Sequence, residues 1–258
     1  MVRVATSCIC LVMAVVVAPT PSADGAVPVY FERDIQPIFT RAGCNSGACH
    51  GKQRGQNGFQ LSLLGFDADF DHDALAKESR GRRIFTADPE QSLLLRKPTG
   101  AAPHGGGKRI ERDGPEYARL LEWIRRGLPR RVPGTPGLAR IAVSPAQKVM
   151  APNASQLLVV TAHYDDGTRR DVTRLAQFQS NESGIAAVDR DGVVRAQGVC
   201  GEAAIMARYM GEIAVFRPSI PLPGSVADSL YDRLPRNNFI DELVWKKLKR
   251  LQITPSPE

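Results

Sequence analysis

Residues 43–51 read Gly43-Cys44-Asn45-Ser46-Gly47-Ala48-Cys49-His50-Gly51, and this stretch decides how the first half of the chain is interpreted. Two thiols followed directly by an imidazole form the arrangement that attaches haem covalently, because thiols add to its vinyl groups and the histidine binds its iron. Four residues separate the cysteines here, a wider spacing than the usual C-x-x-C-H pattern. We expect Gly47 to give this longer loop the freedom to bring both sulfur atoms to one cofactor.

The motif predicts one covalent haem c. Cys44 and Cys49 would form its thioether bonds, and His50 would be the proximal ligand of the iron. Two alternatives fit the same residues. Cys44 and Cys49 can form a disulfide in an exported loop, with His50 incidental, or the motif can be part of a zinc site with few further ligands nearby.

The second axial ligand of the iron has to be sought elsewhere in the chain. No methionine occurs between Met13 and Met150, but a glycine-rich loop reads Pro103-His104-Gly105-Gly106-Gly107. Glycines allow such a loop to approach a flat cofactor closely, so we predict His104 as the distal iron ligand. The alternative is that His104 is an exposed loop residue. His72, between two aspartates, is predicted to be a solvated surface residue.

The chain carries a net charge of +7. Arg96, Lys97, Lys108 and Arg109 flank the predicted distal loop, where they can neutralise haem propionates or attract an acidic redox partner protein. A solvated basic face is the other interpretation. Nucleic acid is not an expected partner, because no helix-turn-helix, zinc-finger or RNA-binding signature accompanies the charge. A basic surface also favours association with a cell surface or an anionic membrane.

The first residues have the pattern of a signal peptide. Arg3 precedes the apolar run Val4 to Ala18, and small residues follow it. We therefore predict a signal peptide at residues 1–26 and a mature protein exported to the periplasm or the cell surface.

Composition divides the remaining chain into four parts. Residues 28–132 contain apolar residues at helical spacing between long loops, and residues 133–138 form a Pro- and Gly-rich linker. Short alternating runs with turn signals over residues 139–223 predict an all-β sandwich. Residues 224–258 contain a C-terminal amphipathic helix.

These parts resemble the modules of large exported planctomycete-type proteins. Residues 28–132 resemble their cytochrome c-like domain through Phe31 to Phe39, the Cys44 to Gly51 motif and Leu120 to Ile124. Residues 139–223 resemble a bacterial Ig-like domain of group 2, on stretches such as Ile141 to Pro145 and Tyr164 to Gly167. The tail from Asn238 resembles the start of a large domain of unknown function.

The resemblance implies a mainly-α cytochrome c-like domain, followed by an all-β Ig-like sandwich and a C-terminal helix that starts a truncated further domain. It implies electron transfer, with the Ig-like part as a spacer or binding module and no defined small-molecule substrate. Any catalytic domain is expected beyond the C-terminus, so the chain itself is not expected to be an enzyme. The alternative function is a haem-free cell-surface interaction or adhesion protein with a Cys44–Cys49 disulfide.

Overall fold

The computed structural model describes residues 28–256, so the predicted signal peptide at residues 1–26 lies outside the described part. Helices occur before residue 126 and after residue 227. They are a π-helical turn Phe31–Ile35, α1 (Gln36–Arg41), α2 (Ala68–Ala76), α3 (Leu93–Arg96), α4 (Pro115–Arg125), α5 (Asp228–Asp232) and α6 (Phe239–Leu251), with 3-10 turns at Leu63–Gly65, Glu78–Gly81 and Pro89–Gln91. No helix in this part of the chain has the length and apolar character needed to cross a bilayer.

The strands lie between these two groups of helices. They are β1 (Leu138–Ser144), β2 (Gln147–Val149), β3 (Ser155–Leu157), β4 (Val159–Tyr164), β5 (Arg169–Asp171), β6 (Gln177–Ser180), β7 (Ala186–Val188), β8 (Val193–Ala196), β9 (Gly201–Glu202), β10 (Ile205–Tyr209) and β11 (Glu212–Ile220). Three sheets result, with the strand orders β1-β4-β5, β2-β11-β10-β6 and β3-β8-β7, and β9 pairs with β11. The pairing of β2 with β11 is parallel and the other pairings are antiparallel.

The predicted fold class, a mainly-α cytochrome c-like domain followed by an all-β Ig-like sandwich and a C-terminal helix, is wrong. The fold is mixed and mostly β, and the helices of residues 28–132 are short. Helices α1 to α4 have 6, 9, 4 and 11 residues. Side chains rather than helices hold much of the intervening chain. The buried Arg83, for example, donates to the carbonyl oxygens of Ala74 at 2.7 Å and Gly58 at 2.8 Å.

The core of the helical region forms where the chain from Phe31 to Arg41 packs against α4. Phe31 and Trp123 are fully buried, and their ring centroids lie 5.5 Å apart. Fully burying an aromatic or aliphatic side chain of this kind stabilises a fold by about 1.5–3 kcal/mol. The same core contains His72, which is buried. Its Nε2 lies 3.0 Å from the carbonyl oxygen of Leu128. The prediction that His72 is a solvated surface residue is therefore wrong.

The strands have a core of their own. Along β10, the buried side chains of Ile205, Ala207 and Tyr209 alternate with partly exposed ones, as expected for a strand with one face covered. Val160 in β4 and Val194 in β8, from the other two sheets, contribute to the same core. The alternation that predicted strands in this part of the sequence is confirmed.

Ion pairs between Glu202 of β9 and α6 anchor the C-terminal helix. Lys247 lies 2.9 Å and Arg250 3.5 Å from the Glu202 carboxylate, which also accepts a hydrogen bond from Ser219 at 3.0 Å. Burial disfavours the charged carboxylate, but these hydrogen bonds and cations outweigh it and hold the pKa of Glu202 below its usual value. Because the pKa is lower in the folded chain, the stabilisation is present at neutral pH and is lost as the pH falls through the folded value.

Glu202→Gln is therefore expected to lower the free energy of unfolding by about 1 kcal/mol at neutral pH and to have a smaller effect at pH ~3. Urea unfolding of both chains at the two pH values measures this difference. Glu212→Gln is the control, because Glu212 is exposed and makes no ion pair among the described residues. An equal loss of stability at both pH values would show that the charge of Glu202 is not what anchors α6.

Candidate haem site

The motif loop is a series of tight turns that begins directly after α1. The amide of Cys44 donates to the carbonyl oxygen of Phe39 at 2.8 Å, and the amide of His50 donates to the carbonyl oxygen of Cys44 at 2.9 Å. The second bond closes the loop between the cysteines and brings His50 next to Cys44. The wide cysteine spacing is thus accommodated by a compact loop.

Gly43 and Gly51, rather than Gly47, are the glycines that this loop requires. Gly43 has a φ of +73°, and a Cβ atom on Gly51 would lie 2.0 Å from the carbonyl oxygen of Asn45. Gly47 has no neighbouring atom within 4 Å of such a position and does not have a positive φ. The expectation that Gly47 supplies the freedom of the loop is therefore wrong.

Asn45 fastens the loop to its surroundings, a role that the sequence analysis missed. Its side chain is fully buried, and Nδ2 donates to Oγ1 of Thr40 at 2.8 Å. Its carbonyl oxygen accepts from the amide of Leu64 at 2.9 Å. An asparagine inside a cysteine motif looks like a turn residue in sequence, so its burial becomes visible only in the fold.

The ring of His50 is held in one orientation. Its Nδ1 lies 2.9 Å from the carbonyl oxygen of Phe59, so Nδ1 carries the hydrogen and Nε2 has the free lone pair. Burial lowers the pKa of His50, as do the charges of His104, Arg83 and Lys97 to a smaller extent, while the bond to Phe59 opposes them. A neutral imidazole with a fixed tautomer is the form that binds a metal.

The ring of His104, in the Pro103–Gly107 loop, is held in the same way as the ring of His50. Its Nδ1 lies 2.8 Å from the carbonyl oxygen of Gly107, which again leaves Nε2 free. The centroids of the His50 and His104 rings are 6.5 Å apart, and the ring planes are nearly parallel at 10°. Two imidazoles that share one metal through nitrogen bonds of about 2 Å have ring centres about 6 Å apart, which is close to the observed centroid distance.

Both histidines and both cysteines of the motif line one cavity of about 560 Å³. Pockets that bury a cofactor-sized ligand have volumes of about 300–1,000 Å³, so the size is suitable. The cavity is mainly apolar, which suits a porphyrin ring; its apolar lining includes Phe39, Phe59, Leu61, Leu75, Leu94 and Ile110. The residues present therefore fit a haem.

The two thiols of the motif are not joined in a disulfide, and burial keeps the Cys44 thiol protonated at neutral pH. Cys44, Cys49 and Cys200, the cysteines of residues 28–256, form no disulfide. Burial raises the pKa of the Cys44 thiol to about 11, and the neighbouring Cys49 adds to the effect. Over residues 28–256, no group of three or more His, Cys, Asp and Glu side chains is arranged to hold a metal ion by itself.

The four basic residues that flank the distal loop separate into two groups. Lys97 and Arg109 line the cavity, and neither forms an ion pair within the described part of the chain. Lys108 instead pairs with Glu111, and Arg96 lies in a separate, polar pocket. Arg82 and Arg83, which the sequence analysis did not single out, also line the cavity. The charged lining thus consists of cations, as a ligand with carboxylates requires.

Comparisons with known proteins add little to this description. No protein-family model matches the chain, and no curated protein matches it. The solved structure of the S-layer protein rSbsC(31-844) is similar at 18% sequence identity and a TM-score of 0.30 over 36% of this chain and 14% of that one. Domains 1–6 of surface layer protein SbsC are similar at 18% identity and a TM-score of 0.29 over the same shares. The chain thus spans about a seventh of the length of these structures, and similarity this low carries no argument about fold or function.

Proposed function

We propose that this chain is an exported protein that binds one covalent c-type haem and transfers electrons. The observation that supports this most is the pair of parallel imidazoles, His50 and His104, with ring centroids 6.5 Å apart in a cavity that also contains two free thiols. The haem assignment does not depend on a cytochrome fold, because it rests on the residues of the site. The expectation of export rests on the signal-peptide pattern of residues 1–26.

Each residue of the site has a distinct task. Cys44 and Cys49 would hold the cofactor through one thioether bond each, and His50 and His104 would bind its iron. Haem supplies one-electron transfer when bound. Phe59 and Gly107 fix the two imidazole rings through their carbonyl oxygens. The apolar lining would exclude water from the cofactor, and Lys97 and Arg109 would compensate the charges of its propionates.

Expression of the full chain in a host that exports proteins and attaches c-type haem tests this function. We expect a coloured protein with a low-spin Soret spectrum, whose haem stays bound to the polypeptide after extraction with acidified acetone. A colourless protein in which Cys44 and Cys49 form a disulfide would contradict the proposal and would support a haem-free interaction protein.

We further propose that the redox partner presents an acidic surface to the mouth of this cavity. Among the described residues, the charged side chains that line the cavity are those of Arg82, Arg83, Lys97 and Arg109. Arg83 is buried and lies 3.7 Å from the carboxylate of Glu78, so the unpaired positive charge comes from the other three. Positive charge at the mouth accelerates the approach of anions, and salt screens this attraction.

Rates of electron exchange with two small complexes are expected to reveal this charge. The rate with anionic hexacyanoferrate should fall as the ionic strength rises, and the rate with cationic hexaammineruthenium should rise. Lys97→Gln should weaken both trends, whereas Lys148→Gln in β2, which is not among the residues that line the cavity, should not. The same salt dependence for both complexes would contradict a basic docking surface.

A further inference from the structure

The N-terminal helix, residues 31–41, lies between the helical region and the strands. Its side chains Phe31, Ile35 and Ile38 are buried in the core of the helical region. Leu175, in the loop between β5 and β6, packs against this core and also against the core of the strands. The two cores therefore meet at Leu175, and the N-terminal helix is enclosed between them.

Polar contacts join the first half of this helix to the strands. Asp34 is 1% exposed and is paired with Arg33 at 2.8 Å and with Arg170 of β5 at 3.1 Å. The hydroxyl of Tyr209 in β10 donates to the carbonyl oxygen of Arg33 at 3.1 Å. A carboxylate buried this deeply depends on its partners, because removing one leaves charge without compensation.

The second half of the helix is held by different residues. Nε2 of Gln177 in β6 donates to the carbonyl oxygen of Thr40 at 3.3 Å. Nη2 of Arg41 lies 2.6 Å from Asp191, in the turn between β7 and β8, and Nη1 donates to the carbonyl oxygen of Arg174. The strands and the loops between them thus contact the helix near Asp34 and again at Thr40 and Arg41.

The same end of the helix carries the motif loop. Thr40 receives the hydrogen bond from the side chain of Asn45, and the carbonyl oxygen of Phe39 receives the one from the amide of Cys44. Thr40 is therefore bonded to β6 through its carbonyl oxygen and to the motif through its hydroxyl. A displacement of the helix end would be transmitted to the loop that ends at His50.

We propose that the strands position the haem site. Arg170 and Gln177 are positioning residues that fix the N-terminal helix. Through Thr40 and Asn45, the helix in turn fixes the Cys44–His50 loop. This inference rests on the proposed function. It differs from a spacer or separate binding module, for which changes among the strands would leave the iron site unaffected.

Two matched pairs of variants of the full chain test this inference. Arg170→Gln is compared with Arg169→Gln, its exposed neighbour in β5, and the milder Gln177→Ala with Gln179→Ala, its exposed neighbour in β6. Amide hydrogen exchange over residues 36–50 and the reduction potential of the bound haem are measured for each. We expect several-fold faster exchange and a shifted potential for Arg170→Gln and Gln177→Ala, and neither change for the two controls.

Folded Arg170→Gln and Gln177→Ala chains with the exchange and potential of their controls would overturn the inference. Faster exchange with an unchanged potential would overturn it as well, because the contact would then support only the fold. The absence of covalent haem from the unsubstituted chain would instead refute the proposed function, and it is detected before any variant is compared.

Discussion

Replacing both Cys44 and Cys49 with alanine is expected to abolish covalent haem attachment completely. Both thiols line the cavity beside His50 and neither is bonded to another cysteine of the described chain, so each is available for one thioether bond. Without them, haem can be held only by its axial ligands and its apolar contacts. Extraction with acidified acetone should then remove all haem from the double variant and none from the unsubstituted chain.

The two single variants, and a control variant at a third cysteine, test the same attachment in more detail. Cys44→Ala and Cys49→Ala should each retain one thioether bond, which the pyridine haemochrome spectrum distinguishes from two. Cys200→Ala is the matched control, because Cys200 is a free cysteine that lies outside the cavity lining. Haem that still resists extraction from the double variant would show that these cysteines do not attach it.

The second large effect is expected from His104→Ala, which should convert low-spin iron to high-spin iron. His104 supplies the only imidazole in the cavity lining besides that of His50, so its removal leaves one axial position without a protein ligand. Added free imidazole should restore the low-spin spectrum. His104→Met should keep the iron six-coordinate and raise the reduction potential, because a thioether ligand favours the reduced state.

His163→Ala is the control for this substitution, since His163 lies in β4 and does not line the cavity. Its absorption spectrum should equal that of the unsubstituted chain in both oxidation states. A low-spin spectrum that His104→Ala leaves unchanged in both states would remove His104 from the ligand assignment and leave the proximal assignment of His50 intact.

Local periodicity was enough to find the main helices. The apolar residues at helical spacing in residues 28–132 include Tyr117, Leu120, Leu121 and Ile124, which form one face of α4, and the predicted C-terminal amphipathic helix is confirmed as α6. The apolar residues of α4 recur on one face and are buried. In α6, by contrast, Phe239, Ile240 and Leu243 of the predicted apolar face are exposed, which periodicity cannot foresee.

Local sequence patterns were not sufficient to predict the fold class. Residues 28–132 contain real helical signals, but the long stretches between them are held by contacts distant in sequence. Arg83 bonds to the carbonyl oxygen of Gly58, 25 residues away, and His72 contacts that of Leu128, 56 residues away. A sequence pattern does not record which carbonyl oxygen a buried side chain will reach. The mainly-α fold is what the resemblance to a cytochrome c-like domain implies, and it is wrong for this chain.

The candidate site, like the fold, was predictable from the sequence only in part. The motif indicated Cys44, Cys49 and His50 by residue type and order, and a proline–histidine–glycine loop indicated His104. The spacing of the two imidazoles and the bonds from Nδ1 to Phe59 and Gly107 depend on the folded backbone. So does the requirement for Gly51, which arises because its Cα approaches the carbonyl oxygen of Asn45.

Peptide mass spectrometry of the exported full chain directly tests whether Cys44 and Cys49 attach one haem covalently. Trypsin cleaves after Arg41 and Lys52, so one peptide, residues 42–52, contains both cysteines and His50. We expect this peptide to carry the additional mass of one intact haem. The same peptide at its bare mass, or lighter by the two hydrogens of a Cys44–Cys49 disulfide, would contradict the account.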